Sequence, residues 1–268
     1  MKAKQGIGGA ALCLAVVIVA AARGADARTE AEAAAGVTVA DPDYSELDIR
    51  RYGAVCDYDE KFETDGRAAR RATDNLPAFE AAIAVAAKKG GGVILVETGG
   101  DCHVSNSIDA NGIDNLWFHV ATGTTVRSTK YTKLGSLFLL GNTDANPSVR
   151  NVGIRGGGTL RTFRPDHATI AAHEPNTAYS IGDYVLSTDS NREKRAYYAK
   201  QAGVSGPASP PDAVSGSDTD GTVVWQDADN DNVISIAGID VWVVGMRIPE
   251  ASGKPITVQK PPWRHVWI

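Results

Sequence analysis

The chain has 268 residues, 43% of them hydrophobic and 22% charged, with 27 basic and 32 acidic side chains. That is enough apolar material for a substantial core, and the acidic balance argues against non-specific nucleic-acid binding. Glycine is plentiful at 28 and aromatic residues are sparse at 7%, which favours turn-rich β structure over a helical bundle.

The N-terminus carries Lys2 and Lys4, an apolar stretch over residues 7–22 and the small-x-small tripeptide Ala25-Asp26-Ala27. We expect a secretory signal over residues 1–27, cleaved after Ala27, because 16 apolar residues fall short of the roughly 20 that span a bilayer. The implied location is secreted or periplasmic, without membrane association after cleavage. Losing Lys2, Lys4, Arg23 and Asp26 leaves 24 basic and 31 acidic side chains, a net charge of −7. Cys13 leaves with the signal; Cys56 and Cys102 remain, and their spacing leaves one disulfide and two free thiols both open.

Residues 28–43 are rich in Ala and lack periodicity, so a disordered tail is expected there. A short strand-like piece, "LDIRRYGAVCDYDE", ends in a turn. The next segment, "TDNLPAFEAAIAVAAKK", has helix chemistry, with Thr73, Asp74 and Asn75 as cap candidates and Pro77 near the first turn. Leu76, Phe79, Ile83 and Ala87 fall on one face of that helix.

"AAKKGGGVILVE" follows. A phosphate-cradling loop places its glycines before a helix, and here they come after one. Lys88 and Lys89 complement the C-terminal helix dipole, and one of Gly90, Gly91 and Gly92 is expected to take the left-handed cap conformation.

Beyond the glycines, short apolar runs recur. "VILV" begins at Val93, "LWFHV" at Leu116 and "LFLL" at Leu137, at steps of 23 and 21 residues. Later, "ISI" at Ile234 and "ITV" at Ile256 are 22 apart, and "VWVV" at Val241 and "HVWI" at His265 are 24 apart. Such a period predicts a stacked solenoid of short parallel strands with an interior of Val, Ile and Leu. A β-sandwich is the main alternative.

"IRRYGAVCDYDE" followed by "TDNLPAFEAAIAVAAKKGGGVILVETGGDCHVSNSI" resembles the N-terminal region of the pectate lyase superfamily, which includes rhamnogalacturonases, polygalacturonases and epimerase-like proteins. The resemblance covers about residues 47–172 and resumes near 231. It implies an all-β fold: a right-handed parallel β-helix with an N-terminal capping helix over residues 44–173 and further coils over 231–268. It also implies an extracellular protein acting on, or holding, an acidic or branched polysaccharide. The sequence departs from the family pattern where Asn75 replaces the second Asp of an Asp-Asp pair and where Cys102 stands near a usual Tyr. With Cys56 in the first turn, the resemblance suggests a Cys56–Cys102 bridge from the entry segment to the first coil. The repeat runs to Ile268 in mid-pattern, so a truncated solenoid lacking its C-terminal coils is expected.

Glycosidases need two carboxylates at a set separation, and lyases or epimerases need a base plus a group that neutralises the uronate. The full set of Asn-Thr-Asp, Gly-His-Gly and Arg-Ile-Lys is not present, so no catalytic residue transfers from the family. Asp240 and Arg247 lie on late rungs, where an exposed rung residue is the plainer reading.

Residues 174–230 shift in composition and are expected to be a small inserted β module. Their Tyr-x-x-Gly-Asp and Asp-Gly-Thr-Val-x-Trp patterns resemble small β-rich modules of chitinases and phage tail proteins, which implies carbohydrate binding. Tyr179, Tyr184, Tyr197, Tyr198 and Trp225 are the candidate sugar-stacking residues, although some of them must form the module's own core. "DADNDN", residues 227–232, has the alternating oxygen ligands of a Ca²⁺ loop but Asn232 and Gly238 where such a loop has Gly and Glu. Ca²⁺ is retained as a candidate cofactor and a polar turn as the plainer reading. The five histidines show no metal-ligand spacing, and His167 and His173 are read as loop residues. Two functional readings follow: a lyase or glycoside hydrolase of the pectate lyase superfamily, or a non-enzymatic carbohydrate-binding, tailspike-like structural protein. Neither fixes an oligomeric state.

Overall fold

The computed structural model describes residues 28–59, 72–96, 99–129, 133–141, 149–163, 167–188, 194–207, 211–212, 217–229, 232–237, 239–249, 256–258 and 264–267. The expected signal peptide, residues 1–27, lies outside them. The fold is mostly β and is built on parallel sheets. The first sheet orders β1 (Gly92–Val96), β4 (Leu116–Val120), β7 (Arg150–Gly156), β16 (Ile239–Val244) and β18 (Arg264–Trp267). The second orders β2 (Asp101–His103), β5 (Thr125–Arg127) and β8 (Thr159–Arg161). The third orders β3 (Asn106–Asn111), β6 (Lys133–Gly141), β15 (Asn232–Ala237) and β17 (Ile256–Val258). Every pairing within these three sheets is parallel, and the chain enters them in rotation.

Alternation along each strand sets which residues form the core, since successive side chains point to opposite faces. Ile94, Phe118, Ile154 and Val243 stand in register across the first sheet. Cys102, Val126 and Leu160 do so across the second, and Ile108, Phe138 and Ile234 across the third. All ten belong to one buried cluster. Each large member contributes about 1.5–3 kcal/mol by leaving water. Phe118 and Phe138 meet edge to face at 5.1 Å across the interior.

The pairing corrects the expected period. "VILV" and "LWFHV" are partners in the first sheet, but "LFLL" is β6 and belongs to the third. The step between register partners is 24 residues from Val93 to Trp117 and 36 from Trp117 to Gly153. Loops between sheets vary in length while the strands keep register. Apolar runs in sequence therefore report strands without reporting which sheet each one joins.

Helix α1 (Glu30–Ala35) overturns the expectation of a disordered tail over residues 28–43. Thr29 and Glu32 form a reciprocal capping box, and Glu32 is buried. Its carboxylate takes hydrogen bonds from the Arg51 guanidinium and from the Tyr52 hydroxyl, the latter at 3.0 Å. Lys89 and Thr29 both bond to Glu46. The segment looked unstructured because its partners lie 19 and 20 residues away, on the 3₁₀ helix Ile49–Tyr52.

Helix α2 (Leu76–Lys89) packs on β1 and β3 and sends Phe79 against both Phe118 and Phe138. Its buried face is Ala78, Phe79, Ala82, Ile83, Val85 and Ala86, whereas Ala87 is exposed. Gly90 closes the helix at φ 76°, its N–H returning to the carbonyls of Ala86 and Ala87. Asn75 makes no side-chain cap; the side chain of Asp74 instead accepts the Leu76 N–H at 3.1 Å.

Candidate functional site

The second sheet turns a polar strip outward. Its strands are "DCH", "TVR" and "TLR", and the central Cys102, Val126 and Leu160 point into the core. The flanking residues therefore face away from it. His103, Arg127 and Arg161 occupy one register column, and Asp101, Thr125 and Thr159 the other. Isolated bridges extend the second column to Asp57 at one end and Arg247 at the other.

At the Asp57 end the strip is covered by residues 56–58. Arg127 donates Nε to Asp101 at 2.7 Å, and its guanidinium lies 4.3 Å from the Tyr58 ring centroid. Asp57 accepts the Thr73 N–H at 2.7 Å and the Thr73 hydroxyl at 3.0 Å. His103 is 6% exposed. Burial holds its imidazole below the ordinary value of 6.5; the Arg127 charge adds to this, and Asp74 and Asp57 oppose it. Burial therefore favours the neutral ring over the imidazolium. Arg247 at the far end is exposed, and Thr159 and Arg161 are half-buried. The strip runs from covered carboxylates at one end to the exposed Arg247 guanidinium at the other, an arrangement suited to an anionic ligand.

The sequence reading missed this column. Its signal is a repeated tripeptide, polar then apolar then basic, in "DCH", "TVR" and "TLR". Of the two late-rung candidates, Arg247 joins the strip, whereas Asp240 sits in the first sheet with φ 58°. Cys56 and Cys102 are disulfide-bonded, which fixes the covering segment to β2. Asn75 also ties this region together: it accepts the Val55 N–H at 2.7 Å and donates to the carbonyls of Thr73 and His103.

Between β8 and β15 lie six antiparallel strands: β9 (Ala178–Tyr179), β10 (Tyr184–Thr188), β11 (Lys194–Gln201), β12 (Gly203–Val204), β13 (Ser217–Asp220) and β14 (Val223–Asp227). The unit starts before the expected residue 174, since Ala172 bridges to Leu186 and Ile170 packs on Tyr198 and its neighbours. Its aromatic residues are not an open platform. Tyr197 and Trp225 are 0% exposed and Tyr198 is 7% exposed, so these three fill the interior. A small unit has few other side chains with which to build a core. Tyr184 packs beside Tyr198 and Phe163. Tyr179 lies edge-on to Trp225 at 4.9 Å and stacks on His173. Nor is His173 a mere loop residue: its Nε2 is 2.7 Å from Asp220 Oδ2, with both side chains buried.

The acidic run at residues 227–232 meets protein partners. Asp227 accepts from Arg195 at 2.9 Å and from the Asp229 N–H at 2.9 Å. Asp229 accepts the Ala196 N–H at 2.8 Å and lies 2.9 Å from His167 Nε2. Asn230 and Asp231 lie outside the described residues. Among the described residues there is no group of three His, Cys, Asp or Glu that could hold a metal ion. Both described carboxylates of this run are thus engaged by protein donors.

No family model matches the chain, and neither a search of curated proteins nor one of solved structures returns a match.

Proposed function

We propose that the three parallel sheets are the faces of a right-handed parallel β-helix of the pectate lyase type. On this reading the protein is a secreted or periplasmic polysaccharide-active protein that binds or acts on an acidic or branched polysaccharide. The supporting observation is the far end of the second sheet's strip, where half-buried Arg161 and exposed Arg247 lie on neighbouring rungs beyond the covered Arg127. Guanidiniums on neighbouring rungs suit the carboxylates of a linear glycan. Binding without cleavage is the second reading, favoured because both carboxylates of the strip are engaged, Asp57 by Thr73 and Asp101 by Arg127.

Affinity electrophoresis of the mature chain in gels containing polygalacturonate, rhamnogalacturonan or alginate tests the proposal. Parallel assays follow ultraviolet absorbance of unsaturated products and new reducing ends. Retardation by at least one acidic polysaccharide is expected, weakened in an Arg161→Ala, Arg247→Ala double variant. No retardation and no products with any of them would overturn the reading.

A further inference from the structure

The first sheet carries a second outward stripe, on a different face from the basic strip. In β4 the buried residues are Leu116, Phe118 and Val120, which turns Trp117 and His119 outward. Trp117 pairs with Gly153, Gly153 with Trp242, and Trp242 with Trp267 of β18, so these four positions share one register across neighbouring strands. Gly153 is required there: a Cβ on it would stand 2.3 Å from the Trp242 carbonyl oxygen and 3.0 Å from Cζ3 of Trp117. Its absence lets the two indoles lean together over the intervening strand, with centroids 6.4 Å apart and planes tilted by 32°.

The stripe has polar company. The Trp117 Nε1–H donates to Asn151 Oδ1 at 3.2 Å, and the Arg155 guanidinium lies 5.6 Å from the Trp117 ring centroid. Asn151 and Arg155 are exposed, both indoles are half-exposed, and Val244 beside Arg155 is 50% exposed. A protein partner would call for a wider continuous apolar patch. Indoles interleaved with an amide and a guanidinium suit a sugar chain: ring C–H groups rest on the aromatic surface while hydroxyls and carboxylates meet the polar groups.

We propose that Trp117, Trp242, Asn151 and Arg155 form a second glycan-binding surface that takes a linear, carboxylate-bearing oligosaccharide lying across the strands of the first sheet. This rests on the reading of the protein as polysaccharide-binding and adds a site away from the second sheet. Arg155 supplies the charge complementarity that selects a uronate over a neutral sugar.

Titration of the full mature chain with oligogalacturonate and with its carboxyl-reduced neutral counterpart, followed by calorimetry and tryptophan fluorescence, tests the site. Trp242→Ala and Trp117→Ala are each expected to weaken uronate binding at least tenfold, and Arg155→Glu to abolish the preference for the charged ligand. The Arg161→Ala, Arg247→Ala variant is expected to retain the fluorescence change at the first sheet. If the wild type binds and the folded tryptophan variants bind equally well, the second surface is overturned while the general reading stands. If a tryptophan variant does not fold, Arg155→Glu decides, because it alters an exposed charge; unchanged binding by it overturns the proposal. A wild-type chain that binds neither oligosaccharide nor any acidic polysaccharide overturns both.

Discussion

The Asn151 amide donates Nδ2–H to Oδ1 of Asn115 at 3.1 Å, between two residues at the same position on adjacent strands and with the same φ of 56°. Asp240, at φ 58°, continues the column on the next strand. Each of these residues turns the chain into a strand of the first sheet through the left-handed region. There an ordinary side chain costs about 1–2 kcal/mol, and Asn and Asp fit more easily.

Asn151→Ala is therefore expected to lower stability by about 1–3 kcal/mol, combining backbone strain with the lost bonds to Asn115 and Trp117. Asn151→Gly removes the same bonds but relieves the strain, so it should cost less. Urea unfolding midpoints for the two variants separate the terms. Equal midpoints would show that backbone strain plays no part.

Asn75 is a position where the amide and the acid are not interchangeable. It is buried, and its NH₂ donates to two carbonyls, those of Thr73 at 3.0 Å and His103 at 3.2 Å. An aspartate would set a carboxylate against both oxygens and remove the side-chain donor from each, leaving the His103 carbonyl only the backbone N–H of residue 75. Asn75→Asp is expected to cost about 2–4 kcal/mol at neutral pH, because buried acceptors lose a donor and a buried charge is added. The cost should shrink in acid, where the carboxyl can donate. A stability loss independent of pH would count against this account.

Local chemistry was readable where the deciding partners were near in sequence. The helix of residues 76–89 is marked by Pro77, its apolar face and the glycine that closes it, all within one segment. The strands are marked by their apolar runs. Sheet membership was not readable, because β6 resembles β4 in composition and only its place in the rotation of the chain sends it to the third sheet. Helix α1 was missed because the Glu32 carboxylate finds its partners on Arg51 and Tyr52. Tyr197 and Trp225 pose the opposite difficulty: an aromatic side chain that suits a sugar also suits a core, and composition cannot say which face of a strand turns inward.

The bridge between Cys56 and Cys102 spans 46 residues and encloses helix α2 and β1. Closing a loop of that length removes unfolded-state entropy equivalent to about 4 kcal/mol. Replacing both cysteines by serine is expected to lower the unfolding free energy by about 2–4 kcal/mol, and reducing the wild type should bring it to the same midpoint in guanidinium. A double variant as stable as the oxidised wild type would show that the covering segment is held by its other contacts alone.

Glu32 gives the N-terminal segment a defined acid sensitivity. Its carboxylate is lowered from 4.5 to about 2, first by the hydrogen bonds from Arg51, against the opposing effect of burial, and further by Thr29 and Tyr52. A carboxylate depressed in the folded state contributes stability that is complete above 4.5 and is lost as pH falls toward 2. The shift corresponds to about 3 kcal/mol at neutral pH. Glu32→Gln is expected to lose most of that at pH 7 and to flatten the stability profile between pH 4.5 and 2, so that wild type and variant converge in acid. Denaturant unfolding across that range checks it. Parallel profiles, offset by the same amount at every pH, would mean that Glu32 acts through shape and neutral hydrogen bonds rather than through its charge.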